Sequence, residues 1–264
     1  MREVLTMWRD TRMIMLTAVV AAVYAAVLVP FKGLTIIPGF TSVRPANVFP
    51  VVFSLLFGPA AAWGSAIGNL IGDVFGGTFG PGSLFGFIGN FLFGFVGYKL
   101  WGNLGPLSSG EEPDFRSNAG RQLVEYLVVA LVAAAVTAAI IAWGVDLLGL
   151  VPFPVLGTTI TVNNFLAAAV LGPPLLYLTW PRVKELGLLY PEVLRADDLP
   201  DIAAARRRTA AYGLAVVAIV WVLVGVFVAP PQSTFQMALG AIGFVLVLGF
   251  SAVAGERLSA LVGR

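Results

Sequence analysis

Long apolar runs separated by short polar breaks organise this chain. A helix that crosses a membrane needs about 20 mostly apolar residues. The runs predict eight such helices: Met13–Val29, Pro45–Phe57, Ala60–Phe75, Leu84–Trp101, Gln122–Asp146, Thr159–Trp180, Ala210–Val228 and Phe235–Gly255. Pro30 is expected to end the first, and Gly58-Pro59 turns the second into the third. Pro45–Phe57 is short for a crossing at about 1.5 Å per residue unless it extends back into residues 40–44. The larger breaks are a loop at 31–44, a Gly-rich loop at 76–83, a polar connection at 102–121, the segment 147–158 and a charged segment at 181–208.

Composition agrees with the pattern. Hydrophobic residues make up 58% of the chain and charged residues 11%, against roughly 25% charged in soluble domains. The fold class is therefore an all-α membrane protein embedded in the lipid bilayer. Cysteine and histidine are both absent. That removes thiol chemistry, the commonest metal ligand and the commonest general base. No catalytic residue, metal or cofactor is expected. The sequence carries no P-loop, and a net charge of +2 gives no reason to expect a nucleic-acid partner. Met1–Asp10 is charged and no small-residue cleavage site follows the first apolar run, so that run reads as a retained helix rather than a signal peptide.

Charge distribution orients the chain. With eight spans, Lys32 and Arg44 fall on one side, and the other 14 of the 16 basic residues fall on the side of both termini. Positively charged loops stay cytoplasmic, so both termini are expected in the cytoplasm of a cell-membrane protein. Arg206-Arg207-Arg208 then reads as a headgroup anchor.

Candidate chemistry is concentrated between Phe40 and Trp101. This stretch is nearly all apolar, yet it holds Arg44, Asn47, Asn69, Asp73 and Asn90. Polar residues inside a membrane are costly and usually face a bundle interior or a cavity. These five are expected to line one pocket opening outward. Asp73 reads equally as a solvated helix end, Asn90 as interhelical glue, and Arg44 as a salt-bridge partner of Asp73. Gly64, Gly68, Gly72 and Gly76 form one stripe, and Gly82, Gly86, Asn90 and Gly94 another; small residues so spaced let helices approach closely. Thr158, Thr159 and Thr161 open the sixth helix with Asn163 and Asn164. The threonines suit capping, and at most one asparagine need face the pocket; Asn163 is taken as the candidate. Trp63 belongs to a group of rings read as either an interfacial belt or a stacking platform. Ala18, Ala22 and Ala26 form a flat face on the first helix, suited to docking another helix.

That alanine face, Arg44-Pro45-Ala46-Asn47, Leu56-Phe57-Gly58-Pro59-Ala60-Ala61-Ala62-Trp63-Gly64, Gly68-Asn69-Leu70-Ile71-Gly72-Asp73 and Gly86-Phe87-Ile88-Gly89-Asn90 together resemble the substrate-binding S components of energy-coupling factor (ECF) transporters, over about residues 12–180. The resemblance implies a six-helix bundle that captures a vitamin or similar micronutrient in an outer pocket capped by the loop after the first helix. It also implies a membrane T component docking on Ala18, Ala22 and Ala26, driven by two ATPase subunits. On this reading residues 1–180 form the substrate-binding bundle, 181–208 a cytoplasmic connector and 209–264 an added two-helix extension that exceeds the usual six helices. The competing function is an autonomous proton-coupled secondary transporter that uses Asp73 as its proton site. Arg44 suggests an acidic group on the ligand, and the rings a flat one.

Overall fold

The computed structural model describes residues 2–38, 40–42, 44–199 and 202–263. Eight main helices follow in order: α1 Thr11–Phe31, α2 Val48–Phe57, α3 Pro59–Phe75, α4 Gly82–Leu100, α5 Ala119–Leu147, α6 Phe153–Glu185, α7 Ala204–Phe227 and α8 Thr234–Val253. The only sheet among the described residues is a two-stranded antiparallel hairpin, β1 Thr35–Ile37 and β2 Thr41–Ser42, inside the 31–44 loop. No spacing in that short loop announced it.

Among the described residues, six helical runs are long and apolar enough to cross a membrane: α1, α4, α5, α7 and the runs containing α6 and α8. The expected count of eight spans exceeds this. α2 has 10 residues and α3 has 17, joined at Gly58, whose φ of +51° is one a side chain would strain. At 1.5 Å per residue α2 is about 15 Å long, half the hydrocarbon thickness.

Several boundaries moved for local reasons. Asp10 caps α1 by accepting from the backbone N–H groups of Arg12 and Met13 at 2.8 and 3.2 Å, and the helix runs two residues past the expected stop, through Pro30 to Phe31. α6 begins at Phe153, not Thr159, because Asp146 accepts from the Phe153 N–H at 3.0 Å and anchors the first turn. The threonines therefore cap nothing. Thr159 and Thr161 sit inside the helix and donate back to the carbonyls of Val155 and Gly157. α6 also continues through Pro181 to Glu185, into the expected connector.

The glycine stripe of α3 packs against α1. A Cβ at Gly68 would lie 2.8 Å from the Ala21 carbonyl oxygen, and one at Gly64 would meet Val20 and the Thr17 carbonyl. Ala21 and Ala25 are buried, while Ala18, Ala22 and Ala26 stay exposed. α7 and α8 pack on α5 and α6. There Gly240 meets Trp143 and Gly243 meets Trp221, and the two indoles lie edge to face at 6.1 Å. Asp146 also accepts from the Gln232 N–H at 3.0 Å, tying the α7–α8 loop to the end of α5.

At the end of the bundle nearest the N-terminus, Glu3 and Lys99 form a fully buried ion pair at 2.6 Å, and Tyr98 donates to Glu3 at 2.9 Å. This locks the segment before α1 onto the end of α4. The polar cavity lies at the other end of α3 and α4.

Candidate functional site

A cavity of about 270 Å³ opens between α3, α4, α5 and α6, the residues Phe40, Arg44 and Asn47 ahead of α2, and the two loops at 76–81 and 148–152. Small-molecule sites typically begin near 300 Å³, so there is room for a compact heterocycle. The polar lining comes from Arg44, Asn47, Asn69, Asp73, Ser83 and Asn90, joined by Thr137 of α5 and Asn164 of α6; the apolar lining of α5 and α6 comes from Ile141, Val145, Leu156 and Ile160. Phe40 and Phe79 stand at its edge. Helical spacing explains the polar lining. Asn69 and Asp73 lie one turn apart on α3, and Gly86 and Asn90 one turn apart on α4, so each pair presents to the same side. Gly86 brings α4 against Asn69; a Cβ there would lie 3.3 Å from its amide nitrogen.

The polar groups form two networks. In the first, the Tyr24 hydroxyl bridges the side-chain oxygens of Asn47 at 2.8 Å and Asn90 at 3.0 Å. Asn47 donates to Asn164, and Asn90 donates to the Gly86 carbonyl at 2.8 Å. In the second, Asp73 is the hub. One carboxylate oxygen accepts from Lys32 at 2.8 Å and Thr78 at 3.2 Å, the other from Asn69 at 3.3 Å and Ser83 at 3.0 Å. Lys32 also donates to Thr78 at 2.7 Å. Burial first, and the Arg44 charge next, hold the Lys32 ammonium below the ordinary lysine value, with Asp73 pulling the other way. The Arg44 guanidinium donates to the Asn69 side-chain oxygen at 3.2 Å and the Phe40 carbonyl at 3.4 Å. Its Nε is buried and has no partner among the described residues.

Arg44, Asn47, Asn69, Asp73 and Asn90 thus converge on one cavity. Asp73 is paired with Lys32, not with Arg44. Asn163 and Trp63 do not line the cavity. Asn163 turns aside to donate to the Ser42 carbonyl at 3.0 Å, and its neighbour Asn164, about 100° around α6, takes the cavity position. Trp63 is the fifth residue of α3, near the end away from the cavity. Its indole donates to the Val4 carbonyl at 2.8 Å and lies against Trp8 and Phe91. Tyr24, Thr78, Ser83 and Thr137 belong to the site or its support and were not foreseen there; Lys32, which with Arg44 stands out in the sequence as an isolated basic residue on the outer side, joins the site through Asp73. Tyr24 is the one polar side chain in the alanine-rich middle of the first helix, a signal that was present.

A family profile for the QueT transporter matches residues 14–180, more than half the chain. The chain belongs to the QueT transporter family. QueT transporters are S components of ECF transporters that handle a queuosine precursor, so this member is a multi-pass membrane transport protein and not an enzyme. No curated protein and no solved structure gives a match. The QueT match ends near Trp180, so every cavity-lining residue falls inside it, while α7 and α8 lie beyond it.

Proposed function

We propose that the chain is the substrate-capture subunit of an ATP-driven importer, with the cavity as its binding site and a queuosine precursor as its ligand. Such precursors are 7-deazaguanine bases: flat, with a carbonyl acceptor and amide and amine donors along one edge. The observation that carries this reading is the mixed lining of the cavity, apolar residues from α5 and α6 beside a cluster of amides and one guanidinium. A flat heterocycle can lay its face on Ile141, Val145, Leu156 and Ile160 and turn its hydrogen-bonding edge to Arg44 and the asparagines. Burial of a polar edge is favourable only where each group finds a partner.

The exposed row Ala18, Ala22 and Ala26 supports docking of a membrane T component on α1, with two ATPase subunits bound to that partner. α7 and α8 pack on α5 and α6 and α1 packs on α3, so the added helices leave the row uncovered. In this arrangement the cavity faces outward and both termini are cytoplasmic. The competing proton-coupled reading gains nothing from Asp73, whose two oxygens are already engaged by four donors.

Mass spectrometry of small molecules released from the purified protein tests the ligand. A bound 7-deazaguanine, or saturable binding of one in calorimetry, is the expected result. Failure of every 7-deazaguanine to bind, with another micronutrient recovered instead, would replace the ligand.

A further inference from the structure

α7 and α8 lie beyond the residues that the QueT profile matches, and among the described residues neither helix lines the cavity. Their outer end is nevertheless tied to the cavity's rim. Asp146, one residue from the end of α5, is buried. One of its carboxylate oxygens accepts from the Phe153 N–H at 3.0 Å, and the other accepts from the Gln232 N–H at 3.0 Å. A carboxylate suits this place because it can accept from both donors and has no N–H of its own to set against either. The first bond starts α6. The second comes from the α7–α8 loop, where Gln232 holds a φ of +56°, unfavourable for a residue with a side chain. A packing contact repeats the tie. The Phe153 ring is fully buried against Gly225 of α7, where a Cβ would lie 2.4 Å from it. These contacts bracket the loop and first turn that carry Leu150 and Leu156 into the cavity lining.

We infer that α7 and α8 form a brace that positions the α5–α6 rim of the cavity, with Asp146 as the joint. The role rests on the proposed reading of the cavity as the binding site and extends that site's support to helices outside the family profile. Asp146, Phe153, Gly225 and Gln232 are positioning residues, since none of them lines the cavity. Without the hairpin, Asp146 would keep one N–H donor of its two, and the Phe153 ring would lose its cover from α7. Loops around a binding site are ordinarily among the least stable parts of a fold. Here the five residues 148–152 are pinned at both ends by one carboxylate, and that carboxylate is pinned to a hairpin of two helices apolar enough to span the membrane. Holding Leu150 and Leu156 in place before a ligand arrives removes an ordering cost from binding. Affinity then depends on helices the ligand never touches.

Hydrogen exchange read by mass spectrometry on the purified full-length protein tests the brace, beside the dissociation rate of 7-aminomethyl-7-deazaguanine as the probe. Gln232→Pro removes the N–H donor and cannot adopt the positive φ. Asp146→Asn keeps the shape but sets an amide NH₂ against one of the two donors. Both are expected to speed exchange over residues 148–157 by about five- to tenfold, the scale of one lost hydrogen bond, and to leave the 76–82 loop at the wild-type rate. Probe dissociation should quicken with the rim. Gln232→Gly keeps the N–H and suits the turn, so it should match the wild type in both measurements. Unchanged exchange over 148–157 in Gln232→Pro, a substitution at an exposed position, overturns the brace. Equal acceleration of the 76–82 loop overturns it too, as general loosening. Faster rim exchange with unchanged probe dissociation reduces the hairpin to a stabilising element and overturns its positioning role. Should Asp146→Asn not fold, Gln232→Pro still decides. If the wild type binds no 7-deazaguanine, the ligand reading fails separately, and the exchange rates still accept or reject the brace.

Discussion

The Tyr24 hydroxyl on α1 lies 2.8 Å from the side-chain oxygen of Asn47 and so ties the helix to the residue at the start of α2. It also reaches Asn90 on α4 at 3.0 Å. One buried phenol thereby sets two asparagines that line the cavity, although Tyr24 itself does not line it. The link joins the helix with the exposed alanine row to the site where ligand is proposed to sit.

Tyr24→Phe should therefore act through the asparagines. It keeps the ring and removes the hydroxyl, whose single proton serves one of the two amide oxygens, leaving a buried acceptor without its donor at a cost of about 1–3 kcal/mol. Thermal unfolding in detergent should register the loss, and 7-deazaguanine affinity should fall with it. Wild-type stability and affinity in this variant would show that the asparagines hold their places unaided.

Arg44→Ala should weaken 7-deazaguanine binding by about 1.5–3 kcal/mol, the size of a charge-assisted hydrogen bond. Trp63→Phe provides the contrast. It cuts the bond to Val4, outside the cavity, so affinity should hold while stability drops by about 0.5–1.5 kcal/mol. Calorimetry on both proteins checks the pair; unchanged affinity in Arg44→Ala would make Arg44 a support for Asn69 and the Phe40 loop only.

Much of this site was legible because membrane burial makes polar residues conspicuous. Arg44, Asn47, Asn69, Asp73 and Asn90 stand out against an apolar background, and helical spacing placed them on shared faces. The failures have equally physical causes. Trp63 was put at the cavity level from its type alone, but a decade of helical positions separates it from Asp73, about 15 Å along the axis. Asn163 and Asn164 could not be ranked, since adjacent residues differ only in azimuth, and the α6 rotation is set by Asp146 and Phe153. The Lys32–Asp73 pair depends on how the 31–44 loop folds back. The same holds for the buried Glu3–Lys99 pair, whose members lie 96 positions apart. Helix types were readable from composition; spanning lengths were not, because α2 and α3 are apolar yet short.

Acid should unfold the protein partly through Glu3. Burial alone would raise its carboxyl, but the charge and hydrogen bond of Lys99 outweigh burial and hold it below its ordinary value of 4.5. A group lowered on folding adds stability above its unfolded pKa and loses it as pH falls through the folded one. Wild-type stability should thus decline below about pH 4.5. Glu3→Gln should lose about 3–5 kcal/mol at neutral pH by stranding Lys99. Combined with Lys99→Met it should recover much of that and lose the acid slope. A single variant as stable as wild type would show the pair contributes nothing.

Topology can be read directly because the chain has no cysteine. Single cysteines at Gly110, beyond α4, and Gln232, between α7 and α8, are expected on opposite sides of the membrane. Membrane-impermeant maleimide on intact cells should label position 232 and leave position 110 unlabelled until the cells are opened. Labelling of both from one side would remove the cytoplasmic placement of the termini.

Ala22→Trp probes the docking face. Ala22 is exposed on α1, while Ala21 beside it is buried against α3, so a large ring at position 22 extends outward without entering the bundle. Close helix approach in a membrane needs small residues. The variant should bind 7-deazaguanine with wild-type affinity and unfold at the wild-type temperature, yet lose uptake in cells that supply the T component and ATPases. Measuring binding and uptake on the same variant separates the alternatives. Normal uptake would mean that no partner seats on this row. Loss of binding along with uptake would mean that the row communicates with Tyr24, two residues along α1, and the docking reading would give way to a structural one.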